Sequence, residues 1–137
     1  MDNHRTPPKP AWFDEVSEGT CRWCNEKIGP TRTGRASKAH WHKECYEEYE
    51  LLFHASTTRQ AVWKRDHGKC RSCGKQCDRK GANGWDMDHI TPLIEANGEM
   101  KYWTLENLQT LCKPCHKAKT SAEATQRALA RKTKPLN

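Results

Sequence analysis

A chain of 137 residues of which 34% are hydrophobic and 30% charged holds one domain, or one domain with a small added module, and excludes a large apolar core. No apolar run approaches the roughly 20 residues of a membrane helix, and Met1 to Pro8 lacks the apolar stretch of a signal peptide, so the expectation is a cytosolic protein without membrane contact. The formal net charge of +7 is unevenly placed: residues 1–20 sum to −2 and residues 111–137 to +6, which suits a polyanionic partner at the C-terminal end.

In chain order, residues 1–18, with Pro7-Pro8-Lys9-Pro10, have the composition of a flexible leader without assigned function. A first cysteine module and its following helix span 19–56. Cys21-x-x-Cys24 opens it and Trp41-His42-x-x-Cys45 closes it, with 17 residues, 25–41, between the halves. In a reducing compartment such paired cysteines are metal ligands rather than disulfides. Cys21, Cys24, His42 and Cys45 form the expected zinc set. His40 is the alternative to His42, but His42 and Cys45 stand one helical turn apart. A helix is predicted from Glu44 to Phe53, and a second from Thr57 or Thr58 to about Asp66, stopped by Gly68.

The remaining segment, 57–137, holds Cys70-x-x-Cys73 and Cys112-x-x-Cys115. Two such turns close a four-cysteine tetrahedral shell around a structural zinc. The 38 residues between them, 74–111, exceed a simple ribbon and leave room for an inserted hairpin. Cys77 lacks a second partner and reads as a free thiol. A strand is predicted over 84–90, ended by Pro92. A loop follows over 93–103 with an Asn97-Gly98 turn, then a returning strand over 107–111. Pro114 suits the first turn of a helix running to about Arg131.

Hydrolysis of a phosphodiester needs a base and a cation. His89 titrates near neutrality and is the candidate base. Asp88 offers a hard oxygen and His116 a nitrogen to one divalent ion, leaving coordination positions for water and phosphate. Asp86, on the same strand face as Asp88, competes as the ligand. These residues, with Glu106-Asn107-Leu108 and the flanking cysteine pairs, resemble the HNH endonuclease family over about Arg59 to Arg131, roughly half of the chain. The resemblance implies a ββα-metal fold, DNA as substrate, Asp88 and His116 as ligands of a catalytic ion, His89 as general base, and Asn107 as the residue that holds the hairpin loop and His89. Some family members use the Asn position as a ligand, for which His116 leaves less need. The first module resembles the first finger of a LIM domain, a treble-clef arrangement, without the second finger.

On the final helix His116, Lys119 and Thr120 share a face, so Lys119 is expected near a phosphate, with Arg127 further along the backbone. Arg131, Lys132 and Lys134 extend the basic end; Lys132 and Lys134 also suit the negative helix terminus. Trp41, Trp63 and Trp85 read as core, while Trp12, Trp23 and Trp103 stay open. The sequence thus predicts an α+β, zinc-stabilised ββα-metal nuclease domain with an N-terminal zinc finger: a metal-dependent DNA endonuclease with two structural Zn2+ and one catalytic Mg2+ or Mn2+. The alternatives are a zinc-stabilised nucleic-acid-binding module without chemistry, and a protein-interaction adaptor. Neither needs an open metal site.

Overall fold

The computed structural model describes residues 6–133. Lys134 and the first five residues of the leader lie outside the described residues. Helices α1 (Lys43–Phe53) and α2 (Ala55–Asp66) precede an antiparallel hairpin of β1 (Trp85–His89) and β2 (Leu108–Cys112), and α3 (Lys113–Thr133) closes the order. Each element falls within about two residues of its expected place. The predicted hairpin loop holds three short 3-10 turns, Leu93–Glu95, Met100–Trp103 and Leu105–Asn107. Asn107 therefore belongs to the last turn and not to the returning strand. No helix among the described residues is long and apolar enough to cross a membrane.

The chain divides into two compact units. The first comprises Met1–Ala61 and Thr91–Asn107, the second Val62–Ile90 and Leu108–Asn137. Each contains one zinc-type knuckle, and the two are built alike. In the first unit Cys21 N–H donates to Glu26 O, Asn25 N–H to Cys21 O and Ile28 N–H to Gly19 O. In the second, Cys70 N–H donates to Lys75 O, Gly74 N–H to Cys70 O and Cys77 N–H to Gly68 O. A single antiparallel bridge closes each turn, Thr20 to Lys27 and Lys69 to Gln76. The residue after the second cysteine has a left-handed backbone in both, Asn25 at φ 63° and Gly74 at φ 79°. Segment 68–77 thus repeats segment 19–28, with Cys77 in the place of Ile28. Cys77 is buried and Ile28 half-buried; each fills an apolar position of its knuckle.

Packing in the first unit is aromatic. Phe13, from the segment read as a leader, is 6% exposed and lies 5.7 Å from Trp41 and 5.8 Å from Tyr49. Tyr49 in turn meets Phe53 at 4.7 Å and Trp41 at 4.8 Å. The Arg22 guanidinium stands over the Phe13 ring and donates from Nε to Phe13 O. These contacts hold the segment on the finger, where composition alone suggested a loose leader.

The second unit is organised by Asp66 at the end of α2. Arg65 reaches both of its oxygens, and Thr110 N–H on β2 donates to Oδ2 at 3.0 Å. Burial raises the Asp66 pKa, but Arg65 and Thr110 outweigh it and the carboxyl sits below the usual range. Val62, Leu108 and Leu111 are almost fully buried, and Trp63 packs on Trp85 at 5.2 Å. Gly68, at φ +68°, stops α2 and opens the knuckle; a Cβ there would lie 2.5 Å from the Trp63 ring.

Candidate active site and metal centres

Two ligand clusters stand out. Cys21, Cys24, His42 and Cys45 form one, and Cys70, Cys73, Cys112 and Cys115 the other; within each, one ligand atom per residue lies within 4.8 Å of all the rest. Thiolates around a tetrahedral zinc at about 2.3 Å are about 3.8 Å apart, and Cys73 Sγ and Cys112 Sγ are separated by 3.8 Å. His42 turns Nδ1 to the cluster, 3.4 Å from Cys24 Sγ, while Nε2 lies 3.1 Å from Lys27 O. A carbonyl only accepts, so Nε2 carries the proton and Nδ1 presents its lone pair. His40 is not in the cluster. Knuckle N–H groups point at the sulfurs, His42 N–H at Cys21 and Cys73 N–H at Cys70. Against the opposing effect of burial, such donors bring Cys21 and Cys70 down to about 6. Cys45 is pushed up to about 12 by burial and by Cys21 and Cys24, and Cys115 to about 12 by Cys112 first. Neighbouring thiols that compete for protons behave in this way, and a coordinated cation removes the competition. Both clusters fit zinc.

The hairpin register sets the second constellation. Asp86 pairs with Leu111, Asp88 with Gln109 and His89 with Leu108. Strand alternation puts Asp86 and Asp88 on one face, where His116, in the first turns of α3, meets both. His116 Nδ1 is 2.9 Å from Asp86 Oδ2, and Nε2 is 3.6 Å from Asp88 Oδ1. The carboxylate of Asp86, an acceptor, keeps the proton on Nδ1 and frees Nε2 as a donor to a cation. Donors about 2.1 Å from a common ion stand roughly 3.0–3.5 Å apart; the Asp88 and His116 atoms are close to that. Asp88 is buried and further held by Gln109 Nε2 at 2.9 Å. Asp86, weighed from sequence as a competing ligand, contacts the other ring nitrogen of His116 and orients it. Its place two residues before Asp88 was the signal.

Lys119, expected near a phosphate, lies on the same face of α3 as His116 and reaches into the site. Its ammonium is 3.2 Å from Asp88 Oδ2, 3.0 Å from His89 O and 2.7 Å from Glu123 Oε2. Burial opposes its charge, but Glu123 and Asp88 hold the pKa above the usual lysine range. Glu123, four residues on, was legible only as a helical ion pair. Arg127 is half-buried on α3 and Arg131 and Lys132 are exposed.

His89 ends β1, half-buried. Alternation separates it from the coordinating face. Burial first, and Lys119 as well, lower its pKa below the ordinary histidine value despite Asp88. Asn107 spends its amide on backbone: Oδ1 accepts Thr91 N–H at 2.9 Å, and Nδ2 donates to Thr91 O at 3.0 Å and Tyr102 O at 2.8 Å. That clamp closes on Thr91, two residues beyond His89 in the chain, and uses both N–H donors of the amide.

Residues 70–122 match the model of the HNH endonuclease family. A probable HNH endonuclease of Lactococcus phage SK1 is 39% identical over 46% of this chain and 65% of its own length. The DNA annealing helicase and endonuclease ZRANB3 of Bos taurus is 40% identical over 86% of this chain, and that of Mus musculus 27% over 87%. The matched region is 10% and 15% of those two proteins. The chain therefore spans a small part of the ZRANB3 relatives and under two thirds of the phage protein. No solved structure matches significantly.

Proposed function

From an HNH endonuclease domain at residues 70–122, we propose that this chain is a metal-dependent DNA endonuclease. The observation that carries the reading is the meeting of Asp88 and His116 across β1 and α3, 3.6 Å apart, with His89 next in the strand. Asp88 and His116 would hold one divalent ion, Mg2+ or Mn2+; such an ion polarises the phosphate and offsets charge on the leaving oxygen. Asp86 fixes the ring of His116. His89, kept unprotonated at neutral pH by its lowered pKa, accepts the proton of the attacking water. Asn107 holds the loop beyond His89 through Thr91, and Arg127 contacts the DNA backbone. The two cysteine clusters hold structural zinc, whose closed shells leave the chemistry to the hairpin. The names of the relatives, a DNA helicase-endonuclease and a probable HNH endonuclease, support DNA as the substrate.

Single-turnover cleavage of supercoiled plasmid across a Mn2+ titration tests these roles. His89→Ala loses about 100- to 10,000-fold in rate and is not rescued by Mn2+. Asp88→Ala and His116→Ala recover a fraction at high Mn2+. Asp86→Asn, by loosening His116, loses about 10- to 100-fold in metal affinity or activity. Full activity in His89→Ala would remove the mechanism. Absence of cleavage by the wild type with every metal leaves a binding module.

A further inference from the structure

We propose that the loop between the two halves of the first zinc centre, residues 25–41, is a second DNA-backbone contact, separate from the basic helix α3. Lys27, Arg32, Arg35 and Lys38 occur in this stretch against Glu26 alone. Zinc with three thiolates and a histidine adds only −1 to the finger, so the loop keeps its excess. Among the described residues no ion pair engages Arg32, Arg35 or Lys38, and all three are exposed. Cations of the same unit with structural work are bound inward: Arg22 on Phe13 and Trp41, and Lys9 on Phe13 and Phe53.

The loop is also shaped in advance. Thr31 N–H donates to Arg35 O at 2.8 Å, Gly34 N–H to Thr31 O at 2.9 Å, and Arg35 N–H to Thr31 Oγ1 at 3.1 Å. Gly34, at φ +84°, makes that turn possible. At its base, Gly19 N–H donates to Ala39 O, and His42 Nε2–H to Lys27 O. A held turn with two guanidinium groups loses little entropy on binding phosphate oxygens, which it can meet bidentately. Residues 29–39 carry no large apolar side chain, so the loop offers no anchor to a folded or helical protein partner. A polyanionic backbone fits it, and the identity of that polyanion as duplex DNA rests on the function proposed above.

Binding of a fluorescent DNA duplex, followed by anisotropy without added divalent cation over a salt series, separates this contact from cleavage. Arg32→Gln/Arg35→Gln/Lys38→Gln, with zinc content and circular dichroism as in the wild type, binds about 10- to 100-fold more weakly near 0.1 M salt and loses roughly two to three units of salt slope. The comparison protein Lys64→Gln/Lys75→Gln/Lys80→Gln, with as many charges removed from exposed positions, loses much less. Equal losses in the two triples would reduce the effect to net charge and overturn the contact, as would an unchanged slope in the first. Wild-type affinity for polyglutamate equal to that for the duplex would overturn it in favour of an acidic polypeptide. The binding result stands apart from the nuclease reading: a wild type that cleaves while the first triple binds normally loses only the loop. One that cleaves nothing while the triple binds weakly loses only the chemistry.

Discussion

The two cysteine modules share one scaffold and differ in what they insert into it. Both begin with the same knuckle, Gly19 to Ile28 and Gly68 to Cys77, and both place their last two ligands at the start of a helix, His42 and Cys45 at α1 and Cys112 and Cys115 at α3. What differs is the insert and the helix. The first inserts a short basic loop and continues into a helix with Glu44, Glu47, Glu48 and Glu50; the second inserts a β-hairpin with Asp86, Asp88 and His89 and continues into a helix with six basic residues and Glu123. A closed metal shell exposes no chemistry of its own. It fixes the two ends of an insert at low cost in apolar area, and the insert and helix set the side chains that each module presents.

The largest effect should come from the shells themselves. Cys70→Ser and Cys21→Ser should each lower bound zinc from two ions to one by elemental analysis. Since structural zinc contributes about 10–16 kcal/mol in small fingers, each should abolish cooperative melting of its own unit. Cys70→Ser should end cleavage, whereas Cys21→Ser should keep the hairpin's ion. Loss of both ions from either variant would show one folding unit and break the comparison.

Next come the paired glycines. Gly19 and Gly68 have φ +85° and +68°, and an added Cβ would meet Ser37 O at 2.9 Å and the Trp63 ring at 2.5 Å respectively. Each alanine variant should lose at least about 1–2 kcal/mol by denaturant unfolding from backbone strain alone. Gly68→Ala should lose more, because the indole is packed on Trp85. Equal stability of either variant to the wild type would contradict the shared knuckle geometry.

Asp66 separates the units in pH. The equivalent position in the first knuckle is Ser17: Thr20 N–H donates to Ser17 O as Lys69 N–H does to Asp66 O. Because the folded pKa of Asp66 lies below its unfolded value, its contribution is complete above about pH 4 and is lost as pH falls through the folded value. Asp66→Asn should lower stability by about 1–3 kcal/mol at neutral pH, and its difference from the wild type should stay level from about pH 8 to 5 and close only below about pH 4. A difference that closes at higher pH would make the thiolates, not Asp66, its source. The smallest effect is expected at Cys77, where Val should keep two zinc ions and cost less than about 1.5 kcal/mol. Loss of one ion would make Cys77 a ligand and end its equivalence to Ile28.

Local spacing carried most of the architecture. Cysteines two residues apart can reach one ion only by a tight turn, and Pro114, Gly68 and Asn97-Gly98 punctuate the chain through backbone restrictions that act within a few residues. For that reason the ligand clusters, the hairpin and α3 were legible in sequence, as was the placing of Asp88 and His116 together, which follows from a strand that returns straight into a helix. Other features depend on which side chains meet across elements. Asp86 gained its contact with His116, and Lys119 its place between Asp88 and Glu123, because α3 lies over one face of β1. Phe13 became core because Trp41 and Tyr49 face it. His42 was already preferred to His40 by its spacing to Cys45, but the tautomer of its ring depends on the Lys27 carbonyl, which holds the proton on Nε2. Spacing specifies which atoms can share an ion or a turn; only the folded chain specifies which carboxylate accepts a given proton, because that depends on distances of a few ångströms between residues far apart in sequence.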